Sequence, residues 1–141
     1  MVANGYAQAY RAAAVLTASP GQLVLMLFDG ALKSMAMARD AFSRPPSDFR
    51  RIEAIHRHLT KAQSILAELQ GGLDMKEGGE FAENMHRLYN YHMRRLFEAN
   101  IRKEEKPVIE VEGLVRELRD AWAEMLSKRD ATMGAGSRVV A

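Results

Sequence analysis

Apolar residues recur along this chain at gaps of three and four. After Ser47 they fall at Ile52, Ile55, Leu59, Ala62, Leu66, Leu69 and Leu73, which is the seam of one helix packed in a bundle. Phe81, Met85, Leu88, His92, Leu96 and Ala99 form a similar row. So do Val108, Val111, Val115, Leu118, Trp122 and Met125, with Gly113 sitting among them at a cost of ~1 kcal/mol relative to alanine. Breakers divide these runs. Ser19-Pro20-Gly21-Gln22 reads as a helix start: the serine caps, the proline suits the first turn, and the glutamine completes a capping box. Pro45-Pro46 and Gly71-Gly72 end two helices, and Pro107 opens another. The pattern predicts helices over about Pro20–Ser43, Asp48–Gln70 with Ser47 as cap, Glu80–Arg102 and Pro107–Lys128. Short connections make neighbouring helices antiparallel. The fold class is therefore all-α: an up-down-up-down four-helix bundle over residues 19–128. An N-terminal arm, 1–18, precedes it, and a tail, 129–141, with Gly134 and Gly136, is expected to be disordered.

The chain carries more apolar surface than such a bundle buries. A bundle helix needs one apolar stripe. In the first helix, Leu23, Val24, Leu25, Met26, Leu27 and Phe28 point all around the axis. In the third, Met85, Tyr89, Met93 and Phe97 make a second row at gaps of four. That row is either the edge of a wide core stripe or the wall of a groove. The arm holds Tyr6 and Tyr10, one helical turn apart, then Val15 and Leu16, and it is expected to dock on the bundle. Nine methionines suit an adaptable binding surface, although methionine also fills ordinary cores.

Composition narrows the function classes. The 141 residues hold 20 basic and 18 acidic side chains, mixed along the chain, for a net charge of +2. This is not a nucleic-acid footprint, and the strip Arg50, Arg51, Arg57 and Lys61 reads as a solvated face. The absence of cysteine excludes disulfides, cysteine nucleophiles and thiolate zinc sites. The apolar run Leu23–Phe28 ends at Asp29, far short of the ~20 residues a membrane span needs. Residues 1–18 have no continuous apolar core of the secretory kind, so a soluble, cytoplasmic protein is expected.

Two Glu-x-x-His pairs, Glu53 with His56 and Glu83 with His86, have the spacing used in di-iron bundles. Their phase places them off the seams, so neither metal nor cofactor is expected. No general base is fixed beside Ser47 or Asp48, and the glycine pairs lack the spacing of a phosphate loop. No enzyme activity is expected.

Thr17–Met35, TASPGQLVLMLFDGALKSM, resembles the signature of the flagellin-specific secretion chaperones, the FliS family. Tyr6, Tyr10 and Val15 stand at that family's spacing. Leu73–Tyr91, LDMKEGGEFAENMHRLYNY, is similar to the start of its third helix, and Ala99–Trp122, closing in ELRDAW, to its fourth. The likeness runs from about Tyr6 to Met125. It departs at Phe28, where a tyrosine is common, at Asn90, where an acidic residue is common, and at His92, which replaces an apolar residue.

The resemblance implies a cytoplasmic chaperone. It would bind the disordered C-terminal segment of flagellin, one to one, block premature polymerisation and keep the subunit competent for flagellar type III export. The arm would cover an apolar groove in the free chaperone and move when the client arrives, and the loaded complex would meet the export gate. The partner-binding residues expected are Tyr6, Tyr10, Val15 and Leu16 in the arm; Leu23, Leu27 and Phe28 in the first helix; and Ile65, Leu69, Met85, Tyr89 and Met93 beyond it. The alternative is a self-associating adaptor bundle with no flagellin client, a homodimer when free.

Overall fold

A computed structural model describes the backbone of residues 19–140 and the side chains of residues 19–132. Four helices account for it: α1 (Pro20–Phe42), α2 (Arg51–Gly71), α3 (Gly79–Arg102) and α4 (Lys106–Val140). Tyr6, Tyr10, Val15 and Leu16 lie outside the described residues, as does the whole 1–18 arm.

The start of α1 is the predicted one. Ser19 Oγ accepts the Gln22 backbone N–H at 3.2 Å, and Gln22 Oε1 accepts the Ser19 N–H at 3.4 Å. The start of α2 is not. Ser47 makes no cap; Asp48 Oδ1 takes the Arg50 N–H at 2.9 Å and closes a turn, which delays the helix to Arg51. Between α2 and α3, Gly79 adopts φ 55°, and Gly78 lies so near Asp74 that a Cβ there would sit 2.5 Å from the Asp74 carbonyl oxygen. Lys103 ends α3 in the left-handed region, and the Glu104 N–H returns to the Ala99 carbonyl at 3.1 Å. The backbone of α4 is helical past the expected helix end at about Lys128, as far as Val140.

The helices pack in the cyclic order α1, α2, α3, α4, with α4 returning to α1. Cross-links fix the pairing. Asp29 meets Arg119 and Arg39 meets Glu112, each at 2.8 Å. Gln70 reaches the His86 carbonyl at 3.0 Å, Gln63 the Met93 carbonyl at 3.2 Å, and His56 faces Asn100 at 2.9 Å. In both sets, rising numbers on one helix pair with falling numbers on its neighbour.

The core is continuous. Met35, Ile55, Leu59, Leu66, Leu96, Val108, Val111 and Val115 are fully buried. Ala31, Ala38 and Ala41 on α1 and Ala54 and Ala62 on α2 are buried too. Such small side chains let helix axes approach closely.

Four seam positions differ from the reading. Ile52 is half exposed, because α2 has only just begun there. On α3 the inward row is Ala82, Met85, Tyr89, His92, Leu96 and Ala99, so Phe81 and Leu88 turn outward. On α4, Leu126 rather than Met125 closes the seam. His92, read as a residue at the core edge, is 1% exposed, and among the described residues neither ring nitrogen has a hydrogen-bond partner.

Candidate functional site

Half of the apolar run at the start of α1, Val24, Leu27 and Phe28, lines one depression. The first two turns of α1, the end of α2, the start of α3 and the middle of α4 converge on a cavity of about 360 Å³. Val24, Leu27 and Phe28 come from α1, and Leu69 from α2, with Leu73 just beyond that helix. Phe81, Met85 and Tyr89 come from α3, and Leu118, Ala121, Trp122 and Met125 from α4. Among the described residues, Glu68 is the only charged side chain on its wall.

Each contribution has a local cause. The capping box at Ser19 fixes where α1 starts, so Val24, Leu27 and Phe28 fall on one side of it. Leu69, in the last turn of α2, and Leu73, just beyond it, line the cavity where the chain turns toward α3. On α4, the indole Nε1 of Trp122 donates to the Gly21 carbonyl at 2.8 Å, so the ring lies across the gap between α4 and α1. An amphipathic ring with its polar tip satisfied suits a wall that is partly wet.

Tyr89 gives the wall its depth. Its side chain is buried, and burial pushes the phenol up to about 12, so it stays a neutral hydroxyl at physiological pH. Its ring stands edge-on to His92, 6.1 Å between centroids, which ties the groove wall to the core behind it.

Such a site binds by burying apolar surface. It offers no converging acid and base. Among the described residues no group of three His, Asp or Glu could hold a metal. Glu53 is engaged by Arg57 at 3.1 Å, and His86 faces Asn90. No described helix is long and apolar enough to cross a membrane.

Five of the residues singled out from the sequence meet here: Leu27, Phe28, Leu69, Met85 and Tyr89. Three described ones do not. Leu23 is half-buried beside the groove but does not line it. Ile65 faces the opposite side of α1, where it lines a separate depression. Met93 packs against the core, its carbonyl held by Gln63. Sequence reasoning missed the α4 wall, because Leu118, Trp122 and Met125 read as an ordinary seam. The one available signal was Trp122, the only tryptophan of the chain, whose N–H needs a partner when buried.

Comparison with known proteins gives consistent results. The family profile described as "Flagellar protein FliS" matches residues 2–129. The flagellar secretion chaperone FliS of Salmonella typhimurium is 41% identical over 126 residues, covering 89% of this chain and 90% of that protein. The protein of the same name from Bacillus subtilis is 36% identical over 129 residues, 91% and 92% of the two chains. The Escherichia coli one is 38% identical over 124 residues, 87% and 88%.

Proposed function

The chain belongs to the FliS family of flagellar secretion chaperones, and on that premise we propose that it binds the disordered C-terminal segment of flagellin in the cytoplasm. Binding prevents premature polymerisation and holds the subunit competent for type III export. The observation that supports this most directly is the groove formed by Leu27, Phe28, Leu69, Met85, Tyr89 and Trp122, an apolar concavity with a single carboxylate at its edge.

The mechanism has no covalent step. An amphipathic segment folds as it lays its apolar face into the groove. Ordering it costs about 2–5 kcal/mol or more of the gross interaction energy. Each leucine-sized side chain taken out of water returns about 1.5–3 kcal/mol, so several anchors must dock together. Leu23 and Met93 then act as outlying contacts of a client that extends past the groove. The Tyr6–Tyr10 arm covers the groove in the free protein and leaves when the client arrives, which lowers net affinity and favours release at the export gate. Deleting Met1–Gln8 should change the dissociation rate; an unchanged rate would remove the arm from the mechanism.

Calorimetry on the full chain with flagellin's C-terminal segment tests the reading. One-to-one binding with a large negative heat-capacity change is expected. No heat of binding, from a protein that keeps its helical signal and sediments as a dimer, would favour the self-associating bundle instead.

A further inference from the structure

A second depression, about 590 Å³, runs between α1 and α2 and shares no lining residue with the first. Met26, Gly30, Lys33 and Met37 follow one another at helical spacing along its α1 wall, and Lys61 and Ile65 stand on its α2 wall. Gly30 gives it depth. A Cβ there would touch Ile65 Cδ1 at 3.4 Å, so any larger side chain would fill the space. Met26 and Met37 are 37% and 44% exposed, one at each end of the α1 wall. Unbranched thioethers held out of the core repack readily against whatever lies on them.

Cations outnumber carboxylates along this groove, with Asp29 the one acidic residue among the described residues that line it. Lys33, Arg57 and Lys61 line it. The two nearby carboxylates are already engaged: Asp29 accepts from Arg119 at 2.8 Å, and Glu53 from Arg57 at 3.1 Å. Among the described residues no carboxylate pairs with Lys33 or Lys61. His58, on the same wall, feels this field: burial first, then Arg57 and Arg44, hold its imidazole below the ordinary value.

We propose that this groove is a second docking surface, for an amphipathic segment of a partner protein that is apolar along one face and acidic along its edges. The methionine floor receives leucine-sized side chains, and Lys33 and Lys61 pair with the flanking carboxylates. A nucleic acid fits the groove poorly, since among the described residues no phenylalanine, tyrosine or tryptophan lines it to stack a base. The surface needs no client in the first groove, because the two are lined by different residues.

The test uses the full chain labelled with carbon-13 at its methionine methyls. The probe is a synthetic helical peptide of leucine and glutamate, with a twin in which lysine replaces glutamate. The acidic peptide is expected to shift the Met26 and Met37 resonances, more weakly as salt is raised, and the basic twin to leave them unmoved. Lys33→Glu combined with Lys61→Glu should weaken the acidic peptide about tenfold, the effect of reversing two attractive rim charges. Lys33→Gln with Lys61→Gln gives a smaller loss and guards against misfolding of the first variant. Equal binding of both peptides would overturn the proposal. So would shifts confined to Met85 and Met125 of the first groove, or unchanged affinity in both variants.

Discussion

The indole of Trp122 is hydrogen-bonded to the carbonyl oxygen of Gly21 at 2.8 Å, so a residue of α4 holds the first turn of α1 at the mouth of the apolar groove. The bond joins positions 101 apart in sequence. It closes the ring of helices where α1 is reached from residues 1–18, and it orients the ring as part of the wall.

Trp122→Phe keeps an aromatic ring and loses the bond; it should cost about 1 kcal/mol of stability. Trp122→Ala also removes a half-buried ring and should cost about 2–3 kcal/mol, less than for a fully buried tryptophan. Urea denaturation measures both. Equal stability of the phenylalanine variant and the parent would mean that the bond contributes nothing.

His92 predicts a pH dependence. Burial holds its pKa below the ordinary 6.5, with Glu110 opposing in part. Between the folded value and 6.5 the unfolded chain binds more protons than the folded one, so stability rises with pH through that window and is lost on acidification. His92→Leu removes two unpartnered ring nitrogens and should gain about 1–2 kcal/mol near neutral pH. It should also flatten the fall in stability below about pH 6.5, leaving the part due to His58, whose pKa is lowered as well. Denaturation midpoints on either side of that pH decide the matter; parallel losses in parent and variant would exonerate His92.

Two glycines should respond in opposite directions to alanine. At Gly78 the new methyl would meet the Asp74 carbonyl oxygen at 2.5 Å, and the turn into α3 must open. At Gly113 nothing lies within 4 Å, and the residue sits inside α4. Gly78→Ala should therefore destabilise, while Gly113→Ala should stabilise by about 0.5–1 kcal/mol. Thermal unfolding of the two variants separates them by sign.

The two grooves should differ in salt dependence. With Glu68 the only charge among its described lining residues, the first should hold its client with an affinity that changes less than about threefold between ~0.05 and ~0.5 M salt. A steep salt dependence in calorimetric titrations would place the client on the lysine-lined groove between α1 and α2.

What the sequence could and could not reveal follows from the physics of each element. Helix existence was legible because the three-four seams and the Ser19 capping box are local signals. The α2 seam from Ile55 to Leu69 is buried as read. On α3 two positions were misplaced by one residue, because Phe81 is larger and more apolar than Ala82, and Leu88 is more apolar than Tyr89. Close packing selects shape as well as hydrophobicity: alanine admits a neighbouring helix, and tyrosine at position 89 reaches both core and groove. The groove was legible as an excess, in the apolar run Leu23–Phe28. Its far wall was not, since which face of α4 stays uncovered depends on how Trp122 meets Gly21, a contact no local pattern encodes.

Trp122 is the only tryptophan in the chain, so its emission reports on the groove alone. The decisive measurement is a titration of the full chain with flagellin's C-terminal segment, followed by that emission and by calorimetry on the same samples. If the groove holds the client, emission shifts to shorter wavelength as water leaves the ring and saturates at one equivalent, and Leu27→Glu and Met85→Glu abolish the shift while the helical signal persists. Binding that calorimetry detects while Trp122 emission stays unchanged would contradict the assignment and move the client to another face of the bundle.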